Sequence, residues 1–164
     1  MPNWCMNTIY FSGDTTKLKA AIADAVERQR KSGNGESIIV PEEIHDGYFF
    51  DIYFEEDTDI MQYCSRWSPN CQDVAELCKV FNASAYHEWE EEGNLVFGRA
   101  NYSSDGKYIE HKIPSEWFDD NVKWPNYDDE IIDVYTYIPT GETFEVLLDL
   151  IERHYEYPIL QAGQ

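Results

Sequence analysis

Three features of the sequence together predict an α+β fold. Short segments alternate apolar and polar residues, the period of a half-buried strand. Two longer segments carry apolar residues three and four positions apart, the period of an amphipathic helix. Gly, Asn, Asp and Pro fall between these segments, where the chain must turn.

Residues 7–11 alternate, with Ile9 and Phe11 on one side, and read as the first strand. Gly13-Asp14 turns the chain, and Asp14 is suited to cap the helix that follows. Leu18, Ala21, Ile22, Ala25 and Val26 form that helix's apolar stripe, and Gly33-Asn34-Gly35 ends it. Residues 37–40 read as a second strand ending at Pro41. Residues 48–54 read as a third, with Phe50, Ile52 and Phe54 on one face and Asp51 and Tyr53 on the other. Ser68-Pro69 supplies a cap and a first helical position, and Val74, Leu77, Cys78 and Phe81 line the second helix. Residues 83–90 alternate Ala85, His87 and Trp89 against Tyr86, Glu88 and Glu90. Gly93-Asn94 and Ser104-Asp105-Gly106 then punctuate two more strands, over residues 95–102 and 107–113.

The order to residue 90 is βαββαβ, which is that of a ferredoxin-like core: an antiparallel sheet with both helices on one face. The expected organisation is a domain over residues 1–113 that includes an added β-hairpin, and an acidic C-terminal extension, 114–164, packed on it. Within the extension, residues 131–138 read as a strand, and a C-terminal helix starts at Thr140 with Phe144, Leu147, Leu148 and Ile151 on its apolar face. Trp4 is expected to be buried and structural, because a large aromatic so near the terminus is costly to leave in water.

Hydrophobic residues make up 43% of the 164, enough for a core, so intrinsic disorder is not the expectation. No apolar run reaches the roughly 18 residues of a membrane span, and residues 1–13 lack the basic and apolar regions of a signal peptide. Those features predict a cytoplasmic protein with free thiols at Cys5, Cys64, Cys71 and Cys78. The formal net charge is −20. Residues 1–34 hold five bases and three acids, which leaves 29 acids and seven bases to the remainder. Such a field repels phosphates and anionic membranes and attracts basic proteins.

Catalytic and metal motifs are absent from the sequence. Cys71 and Cys78 on one helix stand about 10 Å apart, too far for both to hold one zinc ion. The four histidines, His45, His87, His111 and His154, are mutually distant and none lies in HExxH. A Cys5 nucleophile with a distant His is weighed against simple burial of the Asn3-Trp4-Cys5 segment beneath the sheet, which the usual burial of free cysteine favours. The carboxylate runs have no EF-hand frame, and neither a Walker loop nor GxGxxG occurs, so no cofactor, metal or catalytic residue is assigned. Tyr10, Tyr53, Tyr86 and Tyr102 fall where a sheet face can stack RNA bases, but acids flank them and no basic track exists for the phosphates.

The opening Met1-Pro2-Asn3-Trp4-Cys5-Met6-Asn7 resembles the start of an uncharacterised family from bacteriophages and conjugative plasmids, the YubB ferredoxin-like type. Arg66-Trp67-Ser68-Pro69 is similar to that family's strand-to-helix corner. Residues 86–101, with Gly93 and Phe97-Gly98-Arg99-Ala100-Asn101, are similar to its acidic hairpin and following strand. The resemblance covers residues 1–113 and implies a ferredoxin-like domain of mobile-element origin. It implies no activity.

The functional expectation is therefore a non-enzymatic acidic protein-binding module, a DNA-like charge mimic acting on a basic host protein without binding nucleic acid or membrane itself. Self-association is left open. The partner-binding candidates are two acidic runs, Glu55, Glu56, Asp57 and Asp59, and Glu88, Glu90, Glu91 and Glu92 at a hairpin tip. The alternative is a small enzyme or divalent-metal-dependent protein whose site assembles only in the fold.

Overall fold

The computed structural model describes residues 3–33, 36–38, 48–55, 57–91, 96–113 and 160–162. At its centre runs β1 (Trp4–Ser12), paired with β4 (Ile60–Arg66) on one side and β5 (Ser84–Glu91) on the other. Beyond β4 lie β3 (Tyr48–Phe54) and then β2 (Glu36–Ile38). Beyond β5 come β6 (Val96–Tyr102), β7 (Tyr108–Lys112) and β8 (Leu160–Ala162). The sheet order is β2-β3-β4-β1-β5-β6-β7-β8, antiparallel throughout. Two helices, α1 (Thr16–Ser32) and α2 (Cys71–Phe81), share one core with a single face of this sheet. The order β1-α1-β3-β4-α2-β5 is the ferredoxin-like core, so the predicted fold class is the observed one.

The strand assignment is corrected within that class. Of the segment expected at 37–40, the described residues 37 and 38 belong to the edge strand β2 and not to a core strand. The missing core strand is β4, whose Met61, Tyr63 and Ser65 point inward. A buried serine and a preceding acidic run dilute its apolar alternation. The strand and helix expected over 131–138 and from Thr140 lie outside the described residues.

Local signals account for the helix ends, with two substitutions of role. Asp14 does not cap directly: Thr15 holds the N-cap position, and the Asp14 carboxylate accepts bonds from the Thr16 N–H and hydroxyl. Gly33 closes α1 at φ 71, a backbone region that glycine enters without a Cβ clash. The second helix begins later than Ser68-Pro69, with Asn70 at its N-cap position. There the Asn70 Oδ1 accepts the Tyr63 hydroxyl at 2.5 Å, so the residue anchors a core tyrosine.

The third strand departs from simple alternation. Phe49 and Phe50 are both buried although adjacent, because the β3–β4 register shifts between Phe50 and Tyr53 and Asp51 takes φ 49. Phe49 and Ile52 consequently face the helices, whereas Phe50, opposite Cys64, faces the other side. The expectation that Phe50 shares a face with Ile52 and Phe54 is thus corrected: Phe50 is covered by Trp4, edge-on at 5.2 Å, and by the Arg66 guanidinium at 4.6 Å. Trp4 itself is 42% exposed and does not enter the core, contrary to expectation. Its outward direction follows from the β1 alternation that turns Cys5 inward.

The irregular strand is braced from α1. Gln29, buried on the helix's inner face, donates to the Phe49 carbonyl at 2.6 Å and accepts the Ile52 N–H at 3.0 Å. One side chain thereby serves two backbone groups on either side of the bulge. Replacing Gln29 with Leu keeps the volume but removes both bonds, and each stranded buried group costs about 1–3 kcal/mol. Urea unfolding should show Gln29→Leu destabilised by about 2–6 kcal/mol on that basis; a loss below about 0.5 kcal/mol, the scatter of an indifferent surface change, would contradict the bracing role.

Candidate functional site

Side chains on β1 alternate between two environments. Cys5, Asn7, Ile9 and Phe11 lie beneath the helices, while Trp4, Met6, Thr8, Tyr10 and Ser12 lie on the opposite, open face.

Beneath the helices a directed chain of hydrogen bonds crosses the sheet. The Asn7 Nδ2 donates to the Cys5 carbonyl at 2.9 Å and to Ser65 Oγ at 2.8 Å. The Asn7 Oδ1 is therefore the end that meets His87 Nε2, at 2.9 Å, and the ring nitrogen must be the donor. His87 Nδ1 then accepts the Tyr102 hydroxyl at 3.1 Å. Tyr102 also hydrogen-bonds with Cys71; its proton is committed to His87, so the thiol donates. Each polar group along this chain has a partner, the condition for polar groups to sit in a core. Burial holds the imidazole neutral, with its pKa lowered to about 3. The Cys5, Cys71 and Cys78 thiols are pushed up to about 12, chiefly by burial. None is a thiolate at neutral pH, and the thiolate is the nucleophilic form. The arrangement is structural. Among the described residues the one buried side-chain polar atom without a partner is Trp89 Nε1. The ring of Trp89 occupies the space a Cβ on Gly98 would need, which is why β6 carries glycine opposite it.

The other face has a different chemistry. Directly opposed residues of antiparallel strands share a face, so the register fixes its rows. One row reads Tyr53, Gln62, Thr8, Glu88, Arg99 and His111 from β3 across to β7. The next reads Ile60, Tyr10, Tyr86, Asn101 and Ile109. Trp4, Met6, Tyr10, Tyr53 and Ile109 are exposed there, and Trp67 is exposed at the corner after β4, with φ 67. Tyr53 donates to Glu55 Oε1 at 3.0 Å, and Tyr86 to Glu88 Oε1 at 2.8 Å. Those bonds to carboxylates raise the Tyr53 pKa and add to burial in raising that of Tyr86.

The acidic candidates divide under this geometry. Glu55 and Asp57 are exposed between β3 and β4. Asp59 stands beside them but is engaged: it accepts the Thr15 hydroxyl at 2.7 Å and pairs with Lys19 Nζ at 3.0 Å, tying the turn to the start of α1. Hydrogen bonds from Thr15 and Lys19 lower its pKa. On β5, Glu88 and Glu90 lie half-buried on the open face. Glu91 is not at a reachable tip: it is 3% exposed and points to the helix side, where the β5 alternation puts it. Glu56 and Glu92 lie outside the described residues. The register sets the two runs at opposite ends of β1, since Asp59 bonds to Phe11 while Glu90 stands opposite Met6. They do not converge. Of the tyrosines, Tyr10, Tyr53 and Tyr86 share the open face, and Tyr102 is buried in the helix-side network. Among the described residues no three His, Cys, Asp or Glu side chains are grouped to hold a metal ion. No helix of the described residues is long and apolar enough to cross a membrane.

The site thus belongs to a ferredoxin-like α+β domain in which, among the described residues, helices cover one face of the sheet and aromatics and carboxylates lie on the other. The family described as the ferredoxin-like domain in Api92-like protein matches residues 47–135, more than half of the 164, and the chain belongs to that family. The matched stretch includes β3 to β7 and leaves out β1 and α1. No curated protein and no solved structure matches the chain.

The neutral His87 carries a pH signature. Its folded pKa near 3 lies below the ordinary 6.5, so the unfolded chain binds the proton more readily. The associated stability is complete above pH 6.5 and is lost as pH falls toward 3, by about 5 kcal/mol for a shift of this size. In the folded protein, the His87 ring resonances should stay flat from pH 8 to pH 5, with Nδ1 as the unprotonated nitrogen. A His87 titration near pH 6.5 in the folded state would contradict the network.

Proposed function

We propose that the chain is a non-enzymatic protein-binding module of a phage or other mobile element, acting in the cytoplasm on a basic, nucleic-acid-handling host protein through the open face of its sheet. The observation that carries this reading is the company that face keeps. Trp4, Met6, Tyr10 and Tyr53 stand in solvent beside Glu55, Glu88 and Glu90, in a chain of net charge −20. Exposed apolar side chains gathered on one face are the mark of an interaction site, and Tyr and Trp are the residues that most often anchor one. Carboxylates around them complement Lys and Arg and repel phosphate. Solubility alone needs a charge of only about 2–8 in a small domain. The acids copy the sign of a DNA backbone, while the aromatics add contact area that phosphates lack. The mobile-element origin rests on the resemblance carried by residues 1–7 and the two later motifs.

This reading shifts the weight of the interaction. Asp59 is engaged at the start of α1 and Glu91 points under the helices, so of the two acidic runs the reading assigns Glu55, Asp57, Glu88 and Glu90 to the partner's basic groups. Immobilised protein in host lysate should capture a basic nucleic-acid-binding protein at low salt and release it as salt rises. Capture should fail with Trp4→Ser combined with Tyr10→Ser, and with Gln/Asn replacement of the four acids, each variant keeping its circular dichroism spectrum. Capture that survives both variants would refute the assignment, as would tight binding of single-stranded RNA by the purified chain.

A further inference from the structure

We infer that the two tyrosine–glutamate pairs of the open face, Tyr53–Glu55 on the β3 side and Tyr86–Glu88 on β5, are guanidinium sites that select arginine over lysine in an extended segment of the partner. The inference rests on the protein-binding reading and names the chemistry of its ligand. The two pairs repeat one constellation. In each, a tyrosine hydroxyl donates to the carboxylate two residues further on, at 3.0 and 2.8 Å. Tyr86 and Glu88 are two apart on β5 and so share a face; Glu55 follows the end of β3, and the bond from the Tyr53 hydroxyl sets its carboxylate beside that ring.

That pairing suits arginine for a geometric reason. A planar guanidinium lies flat on an aromatic ring and, from its edge, donates N–H bonds to a carboxylate in the same plane. A lysine ammonium has no plane to stack and keeps its hydration more tightly. The chain already makes such a contact internally, with Arg66 over Phe50 at 4.6 Å and Trp4 edge-on to the same ring.

The spacing adds a second constraint. Tyr53 and Glu88 belong to one row, separated by Gln62 on β4 and Thr8 on β1. Three strand spacings put the two sites ~14 Å apart, the reach of about four residues of extended chain. Tyr10, 6.0 Å from Tyr86, supplies an aromatic floor between them. Arg99 sits opposite Glu88 and bonds to Tyr86, so it competes at the β5 site. Tyr53, 58% exposed, is accordingly the stronger of the two.

Two synthetic peptides test this with the full chain: arginines four residues apart in a Gly/Ser background, and the same peptide with lysines. At low salt, calorimetry should find the arginine peptide tighter by about five-fold or more, the worth of two modest stacking contacts. Amide shifts should concentrate at Tyr53, Glu55, Tyr86 and Glu88. Tyr53→Leu with Tyr86→Leu keeps both carboxylates and should equalise the peptides while leaving salt-dependent binding. Tyr53→Leu alone, at an exposed position, should already remove most of the preference. Equal affinities in the unmodified chain, or an unchanged preference in the variants, would overturn the guanidinium sites while leaving a basic partner in place. Binding of neither peptide would overturn the sites as well, and the lysate capture would then judge the broader reading independently.

Discussion

The 2.9 Å hydrogen bond between His87 Nε2 and Asn7 Oδ1 joins the two central strands beneath the helices. It requires the proton on Nε2; because burial keeps the imidazole neutral, Nδ1 is left as an acceptor, and that tautomer fixes the direction of the bonds to Tyr102 and Cys71. Apolar packing surrounds the network: Phe49 meets Tyr63 edge-on at 4.8 Å, and Trp89 lies 4.9 Å from the His87 ring. A one-residue slip of β1 would send Asn7 to solvent and bring Trp4, Met6 and Tyr10 under the helices. The polar chain therefore does more than satisfy itself. It pins the register that keeps the aromatics outside.

Once the register is set, the two faces have separate tasks. The helix side holds the domain together, with Gln29 bridging the β3 bulge and Asp59 securing the start of α1. The open side carries aromatic and charged groups at spacings that the strands dictate. Concentrating the exposed rings on one face of an acidic chain is costly, because rings in water and like charges in proximity both disfavour the compact state. A partner that covers the rings and neutralises the acids relieves both costs together.

Much of the fold was legible in the sequence, and the failures have physical causes. The alternation over 83–90 placed Ala85, His87 and Trp89 inward and Tyr86, Glu88 and Glu90 outward, as observed. The stripe of α1 and its glycine stop were equally plain. β4 was hidden because its inward positions include Ser65, which is buried by bonding to Asn7 and to the Ser68 carbonyl. Alternation puts Phe50 on the face of Ile52 because a bulge at a non-glycine residue leaves no mark in a period-two pattern. Trp4 was read as buried on size alone, although Cys5, Ile9 and Phe11 already fixed its parity. The open face was half legible: its tyrosines were identified, but their pairing with Glu55 and Glu88 needs the register. The acidic runs were visible as composition only, which cannot tell an Asp59 tied to Thr15 and Lys19 or an inward Glu91 from a solvated acid.

Thiol reactivity tests the division into a closed and an open face most directly. Three cysteines, Cys5, Cys71 and Cys78, are buried on the helix side, while Cys64 is partly exposed on the open face with its Sγ 3.5 Å from Met6 Sδ. Alkylation of the native protein at mildly alkaline pH, with the modified residues located by mass spectrometry, reads that division in one experiment. The account predicts that Cys64 is modified first and that the other three react only when the protein is unfolded. Protection of Cys64, or modification of Cys5 or Cys71 ahead of it in the native state, would contradict an open face at this position.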